Sequence, residues 1–381
     1  MNIMDKNLLK NIKYNTNLIF ENVEKIIKSE NPVGIYGNGV YASYIVKYLK
    51  KWSIDIDFFV IDDEYYNENK EANVIKLSDL KRYRTPILII GFETLIGKEA
   101  FLREKIAKVF RCAPGVEILE FEHCYLDYDF ITYKYLLDNY EAFQMTFDAL
   151  CDELSKRIMV EYLNTCISGR SELLGLLNQD SLHDYDYDIL YNSETEGIIV
   201  ECGAYNGKTA LELDKYLTNK KIQSNIFALE PDQKNYKILC DKVNGIARIR
   251  TFEFGTASKD DVLLFDQQGG SGSTFVNNEN ANEENCVKIP VRSIDSIMDE
   301  FGPIDSVLMD IEGSELDTLK GSVKTIMKYK PKFATRVYHK KDDLITIPHF
   351  FINLMTENKY RLYLRNSQNT RGFLDVTLYA I

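Results

Sequence analysis

The chain has 381 residues, which predicts two or three domains at the usual length of roughly 100 to 200 residues each. Its 46 basic and 58 acidic side chains give a formal net charge of −12, which argues against nucleic acid and anionic membranes as partners, because both need a basic face. Hydrophobic residues make up 45% of the chain, which excludes a disordered protein, and apolar runs such as Pro86–Ile90 are too short to insert into a membrane.

The cysteines indicate the compartment. Seven of them are scattered without a Cys-x-x-Cys pair, which is typical of reduced thiols. The first residues lack the apolar core of a signal peptide. We therefore expect a cytoplasmic protein without a structural zinc site.

Residues 1–122 are predicted to form an N-terminal helix and a small Rossmann-like α/β domain. Short apolar segments alternate with helical patterns, as in parallel β-α-β units. The predicted strands are Val33–Tyr36, Ile54–Ile61, Asn73–Leu77, Pro86–Ile90 and Val116–Leu119.

A glycine turn follows the first of these strands. Gly37 and Gly39 lead into a helix, Ala42 stands at the third glycine position, and Asp62 ends the next strand. This is the context of a dinucleotide fingerprint, and it is similar to small Rossmann-like domains attached to sugar-modifying enzymes. Two alternatives remain open, namely a nucleotide or sugar-nucleotide site and a docking module without a ligand.

Residues 123–180 are predicted to be a helical connector. Apolar residues recur at helical spacing, with a break near Ser168-Gly169. We expect two long helices that pack between the domains and could carry a homodimer contact.

Residues 181–381 show a second alternation of strands and helices. The predicted strands are Gly197–Cys202, Ile226–Leu229, Ala247–Phe252, Val262–Phe265, Val287–Val291, Ile304–Met309, Lys332–Tyr338, Tyr360–Leu364 and Phe373–Ala380. Ser314, with Asp317 three residues later, predicts a capping box at the start of a helix. The loop Gly269–Thr274 is either a mobile flap or a hairpin tip.

The segment with the clearest chemistry is Glu201–Gly207, which follows a strand and opens a helix. Its glycines allow a ligand to approach the backbone closely. Glu230, at the end of the next strand, can accept hydrogen bonds from both ribose hydroxyls of an adenosine. The basic residues of a phosphate-binding loop are missing, so an adenosine without phosphates, such as S-adenosylmethionine, fits better.

A third segment places Asp310, Glu312 and Glu315 at the end of another strand. Three carboxylates in six residues are costly to crowd together unless they perform chemistry or bind a cation. The alternative is that Glu315 is favoured by the helix dipole and Glu312 is solvated.

Together these segments resemble the FkbM family of methyltransferases. The resemblance covers about half of the chain, from Tyr185 to Ile381. The matching motifs are Val200-Glu-Cys-Gly-Ala-Tyr-Asn-Gly207, Phe227-Ala-Leu-Glu-Pro231, Val291-Arg-Ser-Ile-Asp295, Val307-Leu-Met-Asp-Ile-Glu-Gly-Ser-Glu315, Val337-Tyr-His-Lys-Lys-Asp-Asp-Leu344, Ile347-Pro348 and Leu362-Tyr-Leu-Arg365. Thr335-Arg336 departs from the family, whose members often carry a carboxylate after the fifth strand.

The resemblance implies a class I methyltransferase sheet with an antiparallel last strand. S-adenosylmethionine would lie over the glycine turn, with Glu230 on its ribose and its adenine near Gly255–Ser258. The implied cofactor-binding residues are Glu201, Gly203, Ala204, Tyr205, Asn206, Gly207, Glu230, Pro231, Gly255, Thr256, Ala257 and Asp310.

The expected reaction is transfer of a methyl group to a hydroxyl of a small-molecule or glycan acceptor, which the family suggests to be a sugar. An alcohol acceptor needs a nearby base, and Asp310 and His339 are the candidates. A lone histidine is more often structural, and His349 is the weaker alternative. The rival functions are a nucleotide-dependent oxidoreductase or sugar-nucleotide-binding module centred on Gly37–Asp62, and a degenerate binding module. The sequence leaves open whether a divalent metal is needed.

Overall fold

The structure is a computed structural model. It describes residues 4–67, 73–92, 99–121, 131–170, 184–191, 197–266, 274–275, 286–354, 360–366 and 375–381. It has a mixed α/β fold, as the sequence predicts. Within those ranges no helix has the length and apolar character needed to span a membrane.

The chain divides into two compact units. The larger unit comprises Met1–Ile12, Asn139–Tyr162 and Leu173–Ile381, and the smaller unit comprises Lys13–Asp138 and Leu163–Glu172. Residues of the predicted connector are thus shared between both units, and the boundaries at 122 and 180 stay a prediction.

The smaller unit is built on one parallel sheet. Its helices are α1 (Leu18–Lys28), α2 (Val40–Lys50), α3 (Glu99–Cys112) and α4 (Tyr133–Asp138), and its strands are β1 (Val33–Tyr36), β2 (Phe58–Ile61), β3 (Val74–Lys76), β4 (Ile87–Ile90) and β5 (Glu117–Leu119). The strand order is β3-β2-β1-β4-β5, and every neighbouring pair is parallel. This order agrees with the predicted Rossmann-like arrangement.

The larger unit contains more helices and two sheets. Its helices are α5 (Tyr140–Ala149), α6 (Glu153–Ser168, which continues beyond the unit's boundary), α7 (Tyr187–Leu190), α8 (Lys208–Lys220), α9 (Gln233–Val243), α10 (Ile294–Phe301), α11 (Glu315–Lys320), α12 (Val323–Tyr329) and α13 (Asp343–Leu354). Its strands are β6 (Ile198–Cys202), β7 (Asn225–Leu229), β8 (Ile249–Phe252), β9 (Gly255–Thr256), β10 (Asp261–Asp266), β11 (Thr274–Phe275), β12 (Cys286–Arg292), β13 (Ile304–Met309), β14 (Lys332–Arg336), β15 (Leu362–Asn366) and β16 (Val376–Ala380).

The main sheet has seven strands in the order β15-β16-β14-β13-β6-β7-β8. Strand β16 runs antiparallel to both of its neighbours, whereas the β14-β13-β6-β7-β8 pairs are all parallel. The expected methyltransferase sheet with an antiparallel last strand is therefore confirmed. A smaller sheet has the order β11-β10-β12-β9.

The topology places the site at the carboxyl ends of the inner strands of the main sheet. All five residues of β6 are buried, as are five of the six in β13, which explains why these strands read as continuous apolar runs. The chain leaves β6 toward β7 on one side, while β13 pairs on the other side. Ligands of open α/β sheets bind where the strand order reverses in this way, at the carboxyl ends.

The segment after α5 covers the edge strand β15. The backbone N–H of Cys151 donates to the Leu362 carbonyl at 2.9 Å, and the N–H of Leu364 donates to Ser155 Oγ at 2.9 Å. Arg365 forms an ion pair with Asp152 at 2.7 Å. The unpaired N–H and C=O groups of an edge strand can pair with another chain. The segment after α5 forms hydrogen bonds with some of these groups in β15.

Candidate functional site

The glycine turn after β6 is held tightly against the end of β13. Gly203 and Gly207 have φ values of +81° and +80°, and Tyr205 lies between them at +46°. A Cβ atom on Gly203 would stand 2.1 Å from the Asp310 carbonyl oxygen. Only glycine can occupy this position without displacing the backbone of the neighbouring strand end.

The N–H groups of this turn are already engaged. Those of Gly203 and Ala204 donate to the Leu229 carbonyl at 3.0 and 2.9 Å, and that of Tyr205 donates to Glu230 Oε2 at 2.7 Å. Asn206 Oδ1 accepts from the N–H of Lys208 at 3.2 Å. A phosphate would need such donors free, so the turn fits a ligand that carries none.

Glu230 follows β7 and lies beside the turn, with Pro231 next to it and partly buried. Its second oxygen, Oε1, accepts from the N–H of Asp232 at 2.9 Å. Burial raises the pKa of this carboxyl to about 7, although its two backbone hydrogen bonds act in the opposite direction. Each carboxylate oxygen has a second lone pair, so Glu230 can still accept two hydroxyl donors.

Glu201 is buried on β6 with 3% of its surface exposed. Its Oε2 atom has no hydrogen-bond partner among the described residues. Burial, followed by the nearby Glu230 carboxyl, raises its pKa well above the usual range. An orphaned buried oxygen beside the turn fits a ligand that brings a polar group, such as the amino acid portion of S-adenosylmethionine.

The predicted adenine-contacting residues lie in and after β9. Thr256 is buried, and its hydroxyl is 2.9 Å from that of Thr318. The N–H of Ala257 donates to the Arg292 carbonyl at 3.1 Å. The Thr256 side chain therefore holds the smaller sheet against α11, which leaves backbone atoms of Gly255–Ala257 for any contact with adenine.

A cluster of carboxylates surrounds His339 beyond the end of β14. His339 Nδ1 is 2.8 Å from Glu315 Oε1, and its Nε2 is 3.4 Å from Asp310 Oδ1 and 3.6 Å from Glu312 Oε2. We call Asp310, Glu312 and His339 the acidic–histidine cluster. The structure thus brings together the two predicted catalytic residues, Asp310 and His339.

Arg336 lies where the sequence departs from the family pattern. Its guanidinium is buried, donates to Thr377 Oγ1 at 2.6 Å and lies 4.7 Å from the centre of the Tyr185 ring. Its Nε is 3.4 Å from Asp310 Oδ2. Arg336 is therefore a buried cation that orients Asp310.

The cluster sets the charges of its members. Burial opposes ionisation of Asp310, but contacts with His339 and Arg336 outweigh it and lower its pKa to about 2. Burial would lower the pKa of His339, yet Glu315 and Asp310 raise it well above the usual value. These contacts favour the anionic form of Asp310 and the protonated form of His339, so they make His339 a weaker proton acceptor than a free imidazole.

Other sequence predictions have mixed outcomes. The Ser314 capping box is wrong, because the Ser314 side chain makes no cap hydrogen bond and Asp317 accepts instead from the N–H of Ser258 at 3.0 Å. His349 makes a structural contact at 3.0 Å with the Ala142 carbonyl. The predicted flap Gly269–Thr274 lies outside the described residues except Thr274, which begins β11.

Glu312 and Glu315 are not among the site residues that the sequence predicts, although they belong to the carboxylate segment after β13. Glu315 is completely buried, and its Oε1 also accepts from the N–H of Ile311 at 3.0 Å. Glu312 has a φ of +52°, which is uncommon for a residue other than glycine. Arg336 gave no usable signal beyond its departure from the family.

In the smaller unit, Asp62 already has partners. Its carboxylate accepts from Tyr36 Oη at 2.9 Å and forms a buried ion pair with Lys105. Gly39 is the N-cap residue of α2 and, as a glycine, has no side chain that could form a capping hydrogen bond. A nucleotide at this turn would have to share Asp62 with Lys105, and ligand binding there stays a prediction.

Residues 201–362 match the methyltransferase FkbM domain. No curated protein matches the chain. Among solved structures, the methyltransferase FkbM from Methylobacillus flagellatus KT shares 20% identity over 97% of this chain and 94% of its own, with a TM-score of 0.70. A SAM-dependent methyltransferase from Aquifex aeolicus shares 11% identity over 55% of this chain and 97% of its own, with a TM-score of 0.30.

The domain match, together with the sheet, defines the class. Residues 201–362 are similar to the FkbM methyltransferase domain over a little less than half of the chain, and this match supports S-adenosylmethionine as the cofactor. Its fold is shared almost end to end with the Methylobacillus flagellatus protein. The residues described above fit this cofactor. They combine the tight glycine turn, the Glu230 carboxylate, which can accept hydrogen bonds from ribose hydroxyls, and the buried Glu201 Oε2 atom, which has no hydrogen-bond partner among the described residues.

Proposed function

We propose that the protein transfers a methyl group from S-adenosylmethionine to a hydroxyl of a sugar or glycan intermediate. The observation that carries this proposal is the close approach of the glycine turn after β6 to Asp310 at the end of β13. The two segments are so near that a Cβ on Gly203 would lie 2.1 Å from the Asp310 carbonyl oxygen. The same end of the sheet brings a cofactor-binding turn and an acidic–histidine cluster next to each other.

The cofactor site is assigned to residues at the ends of four strands, β6, β7, β9 and β13. Gly203–Gly207 would lie under the amino acid portion and sugar, with Glu201 behind them, and Glu230 would accept the ribose hydroxyls. Pro231 would border the ribose, and the backbone of Gly255–Ala257 would border the adenine. Asp310 would face the sulfonium, whose positive charge is favoured beside a carboxylate that stays ionised.

S-adenosylmethionine supplies an already activated methyl group, so the protein has to align the acceptor and accept a proton. When bound, S-adenosylmethionine would supply the methyl group: its carbon–sulfur bond would break as the bond to the acceptor oxygen forms, and S-adenosylhomocysteine would leave. The hydroxyl proton passes to the acidic–histidine cluster. Burial raises the pKa of Glu312 to about 7, so this carboxyl of the cluster can take a proton near neutral pH.

A hydroxyl acceptor is supported by the polarity of the cluster. An anionic and imidazole-lined wall suits a polar, hydroxyl-rich molecule and does not suit an apolar one. The family resemblance adds the expectation of a sugar.

Location and assembly complete the proposal. The six described cysteines are free, which supports a cytoplasmic protein. The proposal includes a homodimer formed through the connector, residues 123–180. Measuring the mass of the protein in solution at several concentrations tests it.

The test of the proposed function is transfer of a labelled methyl group. The protein is incubated with methyl-labelled S-adenosylmethionine and panels of nucleotide sugars, glycans and simple amines. Label should appear in an ether linkage of a hydroxylated acceptor and should depend on Asp310. Transfer to nitrogen alone would replace the hydroxyl assignment.

A further inference from the structure

The orientation of His339 is typical of a metal ligand. Its Nδ1 is held at 2.8 Å by Glu315 Oε1, and Glu315 is itself fixed by the Ile311 N–H. Histidines that bind metals almost always donate the other ring nitrogen to such a carboxylate, which fixes the ring and the coordinating nitrogen. The Nε2 atom is then the one directed at Asp310 and Glu312.

That nitrogen is buried and lacks a well-aligned hydrogen bond. The His339 side chain is 4% exposed, and Nε2 lies beside the Asp310 and Glu312 carboxylates without a well-formed hydrogen bond to any described residue. Its distances of 3.4 Å to Asp310 Oδ1 and 3.6 Å to Glu312 Oε2 exceed the ~2.7–3.2 Å of an N–H···O hydrogen bond. Two ligands of one cation, each ~2.1 Å from it, lie ~3.0 Å apart at a right angle and ~3.4 Å apart at a tetrahedral angle. The spacing therefore fits a shared cation better than direct hydrogen bonds.

The backbone supports the same conclusion. Glu312 adopts a φ of +52°, a conformation with a cost that persists only where the surroundings impose it and that concentrates at functional sites. All three ligand atoms lie within 4.8 Å of one another. Asp310 retains 37% exposure of its side chain, so the position is accessible from solvent.

We infer that Asp310 Oδ1, Glu312 Oε2 and His339 Nε2 bind a divalent cation whose open coordination positions take the acceptor's oxygens. Carboxylates favour Mg²⁺ and Mn²⁺, and an imidazole adds affinity for transition metals, so Mn²⁺ suits the donor set well. Glu315 orients the histidine ligand, and Arg336 holds the other oxygen of Asp310.

This inference rests on the proposed function, because it names the acceptor as a molecule with a hydroxyl, or two neighbouring hydroxyls, that can bind the cation. The bound cation would make the hydroxyl more acidic. With the cation bound, the three side chains would be its ligands, with His339 neutral at Nε2, and the proton released as the carbon–oxygen bond forms would pass to water instead of to the cluster.

The experiment is a titration of the full chain with Mn²⁺, followed by the electron paramagnetic resonance signal of free Mn²⁺. The test variant is Glu312→Gln, which keeps the side-chain shape. Glu153→Gln, in the first turn of α6, is the matched control at an exposed position. We expect one Mn²⁺ per chain for the wild type and the control, with affinity reduced roughly 10-fold or more in Glu312→Gln. Thermal unfolding verifies that all three are folded.

Two results would overturn the inference: no binding of Mn²⁺ or Mg²⁺ at millimolar concentration to the folded wild type, or equal affinity in Glu312→Gln. S-adenosylhomocysteine binding is measured on the same samples with and without a chelator. Cofactor binding without Mn²⁺ binding would reject the cation and leave the proposed function intact. Mn²⁺ binding without cofactor binding would reject the proposed function.

Discussion

Glu230 combines burial with two remaining lone pairs, and its protonation state should therefore control cofactor binding. Its pKa of about 7 is raised by burial, so the carboxyl is mostly neutral below pH 7 and ionised above it. Ribose hydroxyls bind the ionised form better, because it accepts both hydrogen bonds.

The affinity for S-adenosylhomocysteine should consequently increase as the pH rises toward about 7 and level off above it. Calorimetric titration between pH 5.5 and 8.5 measures this. Glu230→Gln should bind roughly 1 to 3 kcal/mol more weakly, the scale of lost charge-assisted hydrogen bonds, and should lose most of the pH dependence. A wild-type affinity that stays constant over the range would show that Glu230 does not contact the ligand.

Asp310 and His339 should affect turnover more than cofactor affinity. We expect Asp310→Asn and His339→Ala to lower turnover about 100-fold or more, whether the cluster takes a proton or binds a cation, because both roles act on the acceptor. Affinity for S-adenosylhomocysteine should change far less in His339→Ala than in Glu230→Gln. Undiminished methyl transfer by His339→Ala would remove that residue from the mechanism.

The site residues that could be predicted from sequence are those in local motifs. Glu201, Gly203 and Glu230 follow directly from strand–turn–helix patterns, and in the structure they lie at or just after the ends of β6 and β7, while their roles stay a prediction. Arg336 and Glu315 could not be assigned in this way. Their roles depend on contacts with Asp310 and His339, which come from other elements of the larger unit. Spacing along the chain carries no information about such partners.

At the scale of single elements, the turn after β6 allows a matched experiment. Gly203 and Gly245 have φ values of +81° and +84°, so alanine is similarly strained at both positions. An alanine Cβ would meet the Asp310 carbonyl oxygen at 2.1 Å in the first case and has no neighbour within 4 Å in the second.

Gly245→Ala should therefore cost about 1 to 2 kcal/mol of unfolding free energy, the usual penalty of a left-handed conformation. Gly203→Ala should cost clearly more and should also abolish cofactor binding, since the turn has to move away from β13. Denaturant unfolding measures both. Equal losses in the two variants would mean that the close approach of the turn to β13 does not matter.

The strands were predictable because burial imposes their composition. Strands β6, β7 and β13 lie within a few residues of the apolar runs that predicted them. The capping box failed for the opposite reason. A polar side chain near a helix start has several partners within reach, and Asp317 hydrogen-bonds to Ser258 of another segment. Local spacing predicts a cap only when no tertiary partner competes.

At the scale of the whole molecule, the larger unit includes Asn139–Tyr162, which precedes the predicted domain boundary at residue 181. Phe143 and Phe147 of α5 are buried, and α5 packs against α13. The segment through Ser155 also satisfies the edge of β15. The prediction of a methyltransferase domain at 181–381 did not include these residues, because helical spacing does not reveal which body a helix packs on.

A fragment that starts at residue 181 should thus be less stable than one that starts at residue 139. Loss of two buried aromatic side chains and several hydrogen bonds should lower the melting temperature by roughly 10 °C or more, or prevent folding. Differential scanning calorimetry of the two fragments makes the comparison. Identical melting temperatures would show that α5 and the following segment do not support the sheet.

The central claim is that this chain binds S-adenosylmethionine at the β6, β7 and β13 ends. Titration calorimetry of the full chain with S-adenosylhomocysteine tests it most directly, with NAD as the competing ligand of the rival oxidoreductase. We predict binding of one S-adenosylhomocysteine per chain, with a melting temperature that rises with ligand concentration, and no displacement by NAD. A folded protein that gives neither heat nor a thermal shift with millimolar S-adenosylhomocysteine, but binds NAD, would contradict the claim.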